Sequence, residues 1–107
     1  MNTNAFATGE QEAIRRALAY WHEHWDWECP LLFGIAREDL AAVLQAWPVP
    51  SAGPEPTALA VLGALRELLH GASAAPKAQI PEILGLTYAD AERLCQKTLS
   101  LTEHLLG

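Results

Sequence analysis

The segment from Trp21 to Cys29 holds most of the residues of this chain that could carry chemistry. Its sequence, Trp-His-Glu-His-Trp-Asp-Trp-Glu-Cys, contains three of the four tryptophans, two of the four histidines and one of the two cysteines. Imidazole, carboxylate and thiolate groups are the usual protein ligands of zinc and related ions. Aromatic side chains beside acidic ones also suit a protein-binding face. The segment is therefore the first place to look for a function.

One use of this segment is a metal site. The order His22-Glu23-x-x-Asp26 resembles the H-E-x-x-H motif of zinc proteases, with Asp in place of the second histidine. On a regular helix His22 and His24 point about 200° apart, so the usable ligand pairs are His22 with Asp26 and His24 with Glu28. Two ligands are too few for a zinc site, and the sequence supplies no third. We therefore expect neither a metal ion nor another cofactor, with a metal-binding protein or enzyme as the alternative.

Nucleophilic catalysis has less support in the sequence. Cys29 with His22 or His24 would make a thiol–imidazole pair, but no third residue that would orient the imidazole is apparent. The chain has no glycine-rich phosphate loop. Cys29 and Cys95 are far apart and form no C-x-x-C pair, so we expect two buried free thiols in a cytoplasmic protein. The chain is not expected to be an enzyme.

Residues 80–98 resemble a DNA-binding helix-turn-helix in their spacing, with a short helix, a glycine turn and a second helix. The second helix begins with Asp90 and Glu92, and its only bases are Arg93 and Lys97. Acidic groups at the mouth of a phosphate-lined groove are repelled. An ordinary helical hairpin is the preferred interpretation, and a regulator that binds DNA through this segment is a further alternative.

Size and charge limit the classes of function. A chain of 107 residues, half of them hydrophobic, is expected to be one domain with its own core. Thirteen acidic residues against seven basic ones give a net charge of −6, which argues against a nucleic-acid partner and suits a basic protein surface. The N-terminus lacks the basic and apolar regions of a signal peptide, and no apolar stretch reaches the ~18 residues of a spanning helix. We therefore expect a cytoplasmic protein that does not bind membranes.

The first predicted helix carries the segment described above. It begins at a capping box formed by Thr8 and Gln11, and Pro30 disfavours its continuation through Cys29. Residues 30–34 are then expected to form a short apolar loop. Four apolar residues at helical spacing form its core stripe: Ile14, Leu18, Trp21 and Trp25.

Three further helices and one extra helical turn complete the predicted fold. The helices are expected at residues 37–47, 57–70 and 87–106, and the extra turn at residues 81–84. Gly85 ends the turn, and Thr87 caps the last helix together with Asp90. The core face of that helix is Ala91, Leu94, Cys95, Thr98, Leu101 or Thr102, and Leu105.

The sequence thus predicts a single all-α domain over residues 1–107, a compact four-helix bundle-like arrangement with an extra short helical turn. Residues 1–7 are expected to fray, and residues 48–56 and 71–79 to form flexible connections. No internal repeat is apparent.

Two faces are predicted for the first helix. Trp21 and Trp25 belong to the core stripe, whereas Tyr20, Glu23 and Trp27 lie on the opposite side. An aromatic anchor with an acidic rim fits a protein interface, and we expect this face to bind a partner. In the alternative interpretation, Trp27 covers the following apolar loop and the acids are merely solvated. The expected partner-binding residues are Tyr20, Glu23, Asp26, Trp27, Glu28, Glu38 and Asp39.

The function class that fits these expectations best is stoichiometric binding of another protein. Small size, acidity and the lack of catalytic motifs suit a bacterial immunity protein or antitoxin that neutralises a basic toxin domain. A homo-oligomeric subunit of a larger assembly is another alternative.

Overall fold

Helix accounts for most of the chain, as its Ala- and Leu-rich composition favours. This computed structural model describes the backbone of residues 2–106 and the side chains of residues 2–103. Over these residues the predicted all-α class is confirmed, and every helix is too short or too polar to span a bilayer. Six α-helices are described: α1 (Thr8–Glu23), α2 (Cys29–Phe33), α3 (Arg37–Ala46), α4 (Pro54–His70), α5 (Ile80–Leu84) and α6 (Tyr88–Leu106).

The central element of the fold is α4, which packs against α1, α2, α3 and α6. Its segment 58–65 is apolar on every face, and a helix of that kind is stable only when neighbours surround it. The indole Nε1 of Trp21 in α1 donates a hydrogen bond of 2.9 Å to the Ala64 carbonyl oxygen in α4. This bond satisfies the indole N–H inside the core.

Both ends of α1 differ from the prediction. The helix is capped by Ala7 and Glu10, not by Thr8 and Gln11: the Ala7 N–H donates to Glu10 Oε1 at 2.8 Å. Thr8 is the first residue of the helix, so the predicted start is confirmed although the cap residues are shifted by one. The helix ends at Glu23, well before Pro30, so residues 24–28 are not helical.

The loop predicted at residues 30–34 is wrong, because residues 29–33 form α2. Proline is compatible with the first helical turn, whose N–H groups need no helical partner, and Pro30 occupies that place. Cys29 and Phe33, one turn apart, are both buried. Gly34 ends the helix with a φ of 76°, a left-handed conformation that favours glycine.

A second short helix, α5, repeats this design. Pro81 lies in its first turn, and Gly85 ends it with a φ of 74°, as the extra turn predicted at residues 81–84 anticipates. Thr87 Oγ1 accepts the Asp90 N–H at 3.1 Å, so the predicted cap of the last helix is confirmed. The described core face of α6 is buried as predicted, with Thr102 rather than Leu101 fully inside, and the Leu105 side chain lies outside the described residues.

The prediction that the chain has no internal repeat is wrong at the level of structure. Residues 29–47 and 80–98 form the same motif of short helix, glycine turn and long helix, aligned without a gap at a shift of 51 residues. Buried and exposed positions agree along nearly the whole alignment. The two short helices differ in the helix they contact: α2 packs on α4, whereas α5 packs on α1.

Three connecting segments differ in detail from the expectations. The N-terminal segment, expected to fray, forms a turn of 3-10 helix at Thr3–Ala5 and buries Phe6 against Trp47. The connection predicted at residues 48–56 is shorter, because α4 begins at Pro54 instead of residue 57. The connection predicted at residues 71–79 includes a second 3-10 turn, at Lys77–Gln79.

Candidate functional site

Three of the five large apolar side chains that are exposed among the described residues lie close together in the chain, where α1 leads into α2. Trp27 is 82% exposed and Leu31 is 85% exposed, with Leu32 beside them at 36%. We call Trp27, Leu31 and Leu32 the α2 knob. Isolated exposed apolar residues are common on protein surfaces, but an indole with two neighbouring leucines is the composition of an interface anchor.

Local hydrogen bonds give the knob its shape. After α1 ends, Asp26 Oδ1 accepts the backbone N–H of Glu28 at 2.9 Å, and the Cys29 N–H donates to the Asp26 carbonyl oxygen at 3.2 Å. These bonds form a tight turn that has Trp27 at its apex. Trp27 therefore leaves the direction it would have on a continued α1. The prediction that it shares a helical face with Tyr20 and Glu23 is wrong for that reason.

The other aromatic residues of the segment pack inward. Trp21 is buried, and Trp25 lies against the core with its ring 5.2 Å from that of Phe33. Tyr20 is half-buried and stacks on the His24 ring at a centroid distance of 4.2 Å. The alternative interpretation, in which Trp27 covers the segment Leu31-Leu32-Phe33, is wrong, since Trp27 and Leu31 both remain in solvent.

Five acids predicted for the site lie within residues 23–39, the stretch of chain that includes the knob: Glu23, Asp26, Glu28, Glu38 and Asp39. Within residues 2–103, no lysine, arginine or histidine forms an ion pair with any of them; the ion pairs found there involve other acids. Arg37 Nη2 donates at 2.9 Å to the His22 carbonyl oxygen, which places the start of α3 beside the end of α1. Glu23 and Glu38 are each one residue away in the chain from the partners of this hydrogen bond.

Two of these acids have structural partners. Asp26 holds the turn that carries Trp27, and Asp39 Oδ2 accepts the Ala36 N–H at 3.0 Å and so caps α3. Glu23 and Glu38 are exposed, and Glu28 is half-buried at the start of α2. Glu23, Glu28 and Glu38 are thus the carboxylates available to meet a partner.

The metal alternative loses its geometric basis. The pairs His22 with Asp26 and His24 with Glu28 require a helix that continues to residue 28, and α1 ends at Glu23. The His24 Nδ1 lies 2.7 Å from the Tyr20 carbonyl oxygen and is engaged there. Among the side chains of residues 2–103, no three His, Cys, Asp or Glu groups converge as a metal site would require.

Cys29 is poorly placed for nucleophilic chemistry. Its side chain is buried, and its Sγ lies 3.5 Å from both the Asp26 N–H nitrogen and Asp26 Oδ1. Burial raises the pKa of the Cys29 thiol, which disfavours the reactive thiolate. Cys95 is also a buried free thiol, and burial raises its pKa as well.

The helix-turn-helix alternative is weakened by its own side chains. Arg93 is paired with Asp90, and Lys97 Nζ lies 2.7 Å from Glu10 Oε1. Arg93 and Lys97 of the would-be recognition helix thus each lie beside a carboxylate, which repels a phosphate at the same place.

Leu31 and Leu32 are site residues that the sequence reasoning missed, because a loop prediction gave them no direction. The signal was present in the pattern Pro30-x-x-x-Gly34, which recurs as Pro81-x-x-x-Gly85 and marks a short helix in both places. A comparison of the chain with protein-family models, curated proteins and solved structures found no match.

Proposed function

We propose that this protein binds another protein stoichiometrically through the α2 knob, as an immunity protein or antitoxin binds the toxin it neutralises. The observation that supports this most directly is that Trp27 and Leu31, both above 80% exposed, lie four residues apart in the chain, Trp27 in a turn held by its own hydrogen bonds and Leu31 in the helix that follows it. Such a turn is preorganised, so little conformational entropy is lost when a partner covers it.

The size of the knob fits an interface hot spot. A tryptophan buries about 150–250 Å² of surface when a partner covers it. Truncation of a hot-spot residue to alanine weakens the binding free energy by about 2 kcal/mol or more. Leu31 and Leu32 extend the apolar contact around the indole. The acids at the border stay hydrated, which is the usual arrangement of an apolar centre with a polar rim.

The charge of this end of the protein favours a basic partner. Glu23, Glu28 and Glu38 have no ion-pair partner within the described side chains. A Lys- or Arg-rich surface would accelerate association by electrostatic steering and would leave fewer acids unpaired. A toxin domain that acts on nucleic acid is a basic surface of this kind, and masking it would neutralise the toxin.

The test is a reconstitution with two matched sets of variants. Tagged wild-type protein and the Trp27→Ala/Leu31→Glu variant are used to capture partners from the source cells, and a protein retained only by the wild type is purified and titrated by calorimetry. We expect 1:1 binding that the knob variant weakens by at least about tenfold.

Charge is tested with the same purified partner, by rapid-mixing measurements of the association rate at several salt concentrations. Glu28→Lys/Glu38→Lys and Glu82→Lys/Glu103→Lys change the net charge equally, but only the first pair lies at the knob. We expect the first pair to lower the association rate and flatten its dependence on salt far more than the second. Equal effects of the two pairs, or tight binding by the knob variant, would show that the proposed surface is wrong.

A further inference from the structure

The internal repeat allows residues of the knob to be compared with the residues at the corresponding positions of the second repeat. At a shift of 51 residues, Trp27 corresponds to Ala78 and Leu31 to Glu82, and both counterparts are also exposed. The backbone at these positions is alike, because the Cys29 N–H donates to the Asp26 carbonyl oxygen as the Ile80 N–H donates to that of Lys77. The fold therefore accepts a small or charged residue at both positions.

Positions that the fold does require agree between the repeats. Pro30 and Pro81 start the short helices, and Gly34 and Gly85 end them with φ values of 76° and 74°. Asp39 corresponds to Asp90, and each lies in the capped first turn of a long helix. The residues that form the turns are thus shared by the two repeats, whereas Trp27 and Leu31 are not; Leu32 keeps an apolar counterpart in Ile83.

The charges around the knob diverge as well. Asp26 corresponds to Lys77, Glu28 to Gln79 and Glu38 to Ala89, so three of the acids near the knob have a neutral or basic counterpart, whereas the capping residue Asp39 keeps an acidic one in Asp90. Trp27, Leu31 and these three acids therefore occur in the first repeat and have no counterpart of the same type in the second.

We infer that the partner binds to the segment of residues 26–31, and that residues 77–82 are the corresponding segment of the second repeat without the side chains that bind the partner. This inference rests on the proposed function and adds to it the chemistry of the partner. That partner is a protein with an apolar cleft, wide enough for an indole ring and bordered by Lys or Arg side chains.

The negative charge of the residues near the knob distinguishes a cationic protein from two alternative binding partners. A second copy of the chain would bring Glu23, Glu28 and Glu38 against the same acids, and like charges across an interface repel. An anionic membrane surface is repelled in the same way. A cationic protein cleft is the occupant that accommodates both the indole and its acidic border.

The inference is tested with an amphipathic 14-residue peptide of Lys and Leu at helical spacing, whose apolar face bordered by Lys stands in for that of the partner, titrated into the ¹⁵N-labelled 107-residue protein. Four proteins are compared: wild type, Trp27→Ala, Leu31→Glu, and a graft that carries Lys77→Asp, Ala78→Trp, Gln79→Glu and Glu82→Leu. Circular dichroism establishes that each is folded.

We expect one peptide per wild-type molecule, with shifts confined to residues 26–38, and affinity reduced at least about tenfold by Trp27→Ala and by Leu31→Glu. The graft is expected to bind two peptides, the second at residues 77–89. A graft that folds but binds only one peptide overturns the inference and leaves the proposed function standing. Equal peptide binding by wild type, Trp27→Ala and Leu31→Glu contradicts both.

Two further measurements test the alternative partners, a second copy of the chain and a membrane surface. Light scattering of the wild type without peptide would reveal a dimer that Trp27→Ala disperses, and sedimentation with phosphatidylglycerol vesicles would reveal a membrane surface. Either result would overturn the inference of a cationic protein partner. A monomer that does not sediment with the vesicles supports it.

Discussion

The ring of Phe33 packs directly onto the backbone of α4 at Gly63, where an added Cβ atom would lie 2.6 Å from Phe33 Cδ2. Glycine permits this approach because it has no side chain. Phe33 is the buried last residue of α2, so its contact with Gly63 anchors α2 on the core. The same helix presents Leu31 to solvent. The position of the knob therefore depends on a glycine in the most buried helix.

Gly63→Ala is expected to destabilise the protein. Alanine favours helix over glycine by about 1 kcal/mol, but overpacking a core usually costs about 1–3 kcal/mol. We expect the overpacking to prevail because the neighbour is a buried ring with little room to move. Thermal denaturation should show a midpoint several degrees below that of the wild type.

Gly9→Ala is the matched control for that variant. Gly9 lies in the first turn of α1, and a Cβ there would meet no atom within 4 Å. The same substitution should therefore leave the unfolding midpoint unchanged or raise it slightly. If both variants behave alike, the close packing of Phe33 on Gly63 does not exist in solution.

Leu31→Glu is expected to leave the stability of the fold unaltered. Glu82 occupies the corresponding position of α5, and an exposed leucine contributes little to the core, so the change in unfolding free energy should stay within about 0.5 kcal/mol. Phe33→Ala, two residues away and buried, should cost about 3–5 kcal/mol. Urea denaturation distinguishes the two, and a large loss for Leu31→Glu would mean that Leu31 packs inside.

Trp27 is expected to dominate the quenching of tryptophan fluorescence by acrylamide. Trp21 and Trp47 are almost completely buried, and Trp25 is partly covered by Phe33. Trp27→Phe should therefore shift the emission maximum to shorter wavelength and remove most of the quenchable signal. Trp47→Phe is the contrasting variant: quenching should persist, while the loss of the Trp47 Nε1 hydrogen bond to the Gln11 carbonyl oxygen lowers stability by about 1 kcal/mol.

Elements with local signals were predictable from the sequence. The start of α6 follows from Thr87 and Asp90, whose cap is made by residues three apart, and the end of α5 follows from Gly85. The central position of α4 follows from apolar residues on all its faces. In each case the determining interactions lie within one or two turns of the chain.

The end of α1 was not predictable in this way, and α2 was missed although Pro30 and Gly34 mark it as Pro81 and Gly85 mark α5. The spacing of Trp21 and Trp25 is helical, yet the chain leaves the helix after Glu23 so that Trp25 can pack on Phe33. That contact, together with the seat of Phe33 on Gly63, is tertiary. A five-residue helix is also too short to show a period.

The site was predicted only in part for the same reason. Acids and tryptophans near residues 20–39 could be identified from their types, but the exposure of Trp27 depends on the turn made by Asp26. The orientation of the Leu31 and Leu32 side chains follows from α2, which the sequence analysis did not predict. The repeat was hidden because identical residues in its two halves are few, and Pro30 and Gly34 are the most telling of them.

Both cysteines are expected to react slowly with thiol reagents in the folded protein. Burial raises the pKa of Cys29 and of Cys95, so at neutral pH the thiolate fraction is smaller than for a free cysteine, and access is restricted too. Absorbance with a disulfide reagent should show little release in buffer and two equivalents in urea. Rapid reaction of one equivalent in buffer would contradict the buried environment of that thiol.

Glu10 is expected to make stability depend on pH in the acidic range. Its Oε1 accepts the Ala7 N–H at 2.8 Å and the Lys97 ammonium at 2.7 Å, and the bond to Lys97 holds the pKa of this carboxyl below its ordinary value despite partial burial. A carboxyl whose pKa is lower in the folded state stabilises the fold above its unfolded-state pKa. That contribution is lost as the pH falls through the folded-state pKa.

Glu10→Gln should therefore destabilise the protein at pH 7 by no more than about 1 kcal/mol, since the pair with Lys97 is partly exposed. Glutamine can still accept the Ala7 N–H, so the variant isolates the charge. The difference in unfolding free energy from the wild type should shrink below pH 4 and vanish once Glu10 is protonated in both states. Glu12→Gln, on the exposed face of the same helix, is the control and should change stability little at any pH. A difference between wild type and Glu10→Gln that stays constant from pH 7 to pH 3 would show that the Lys97 pair does not act through charge.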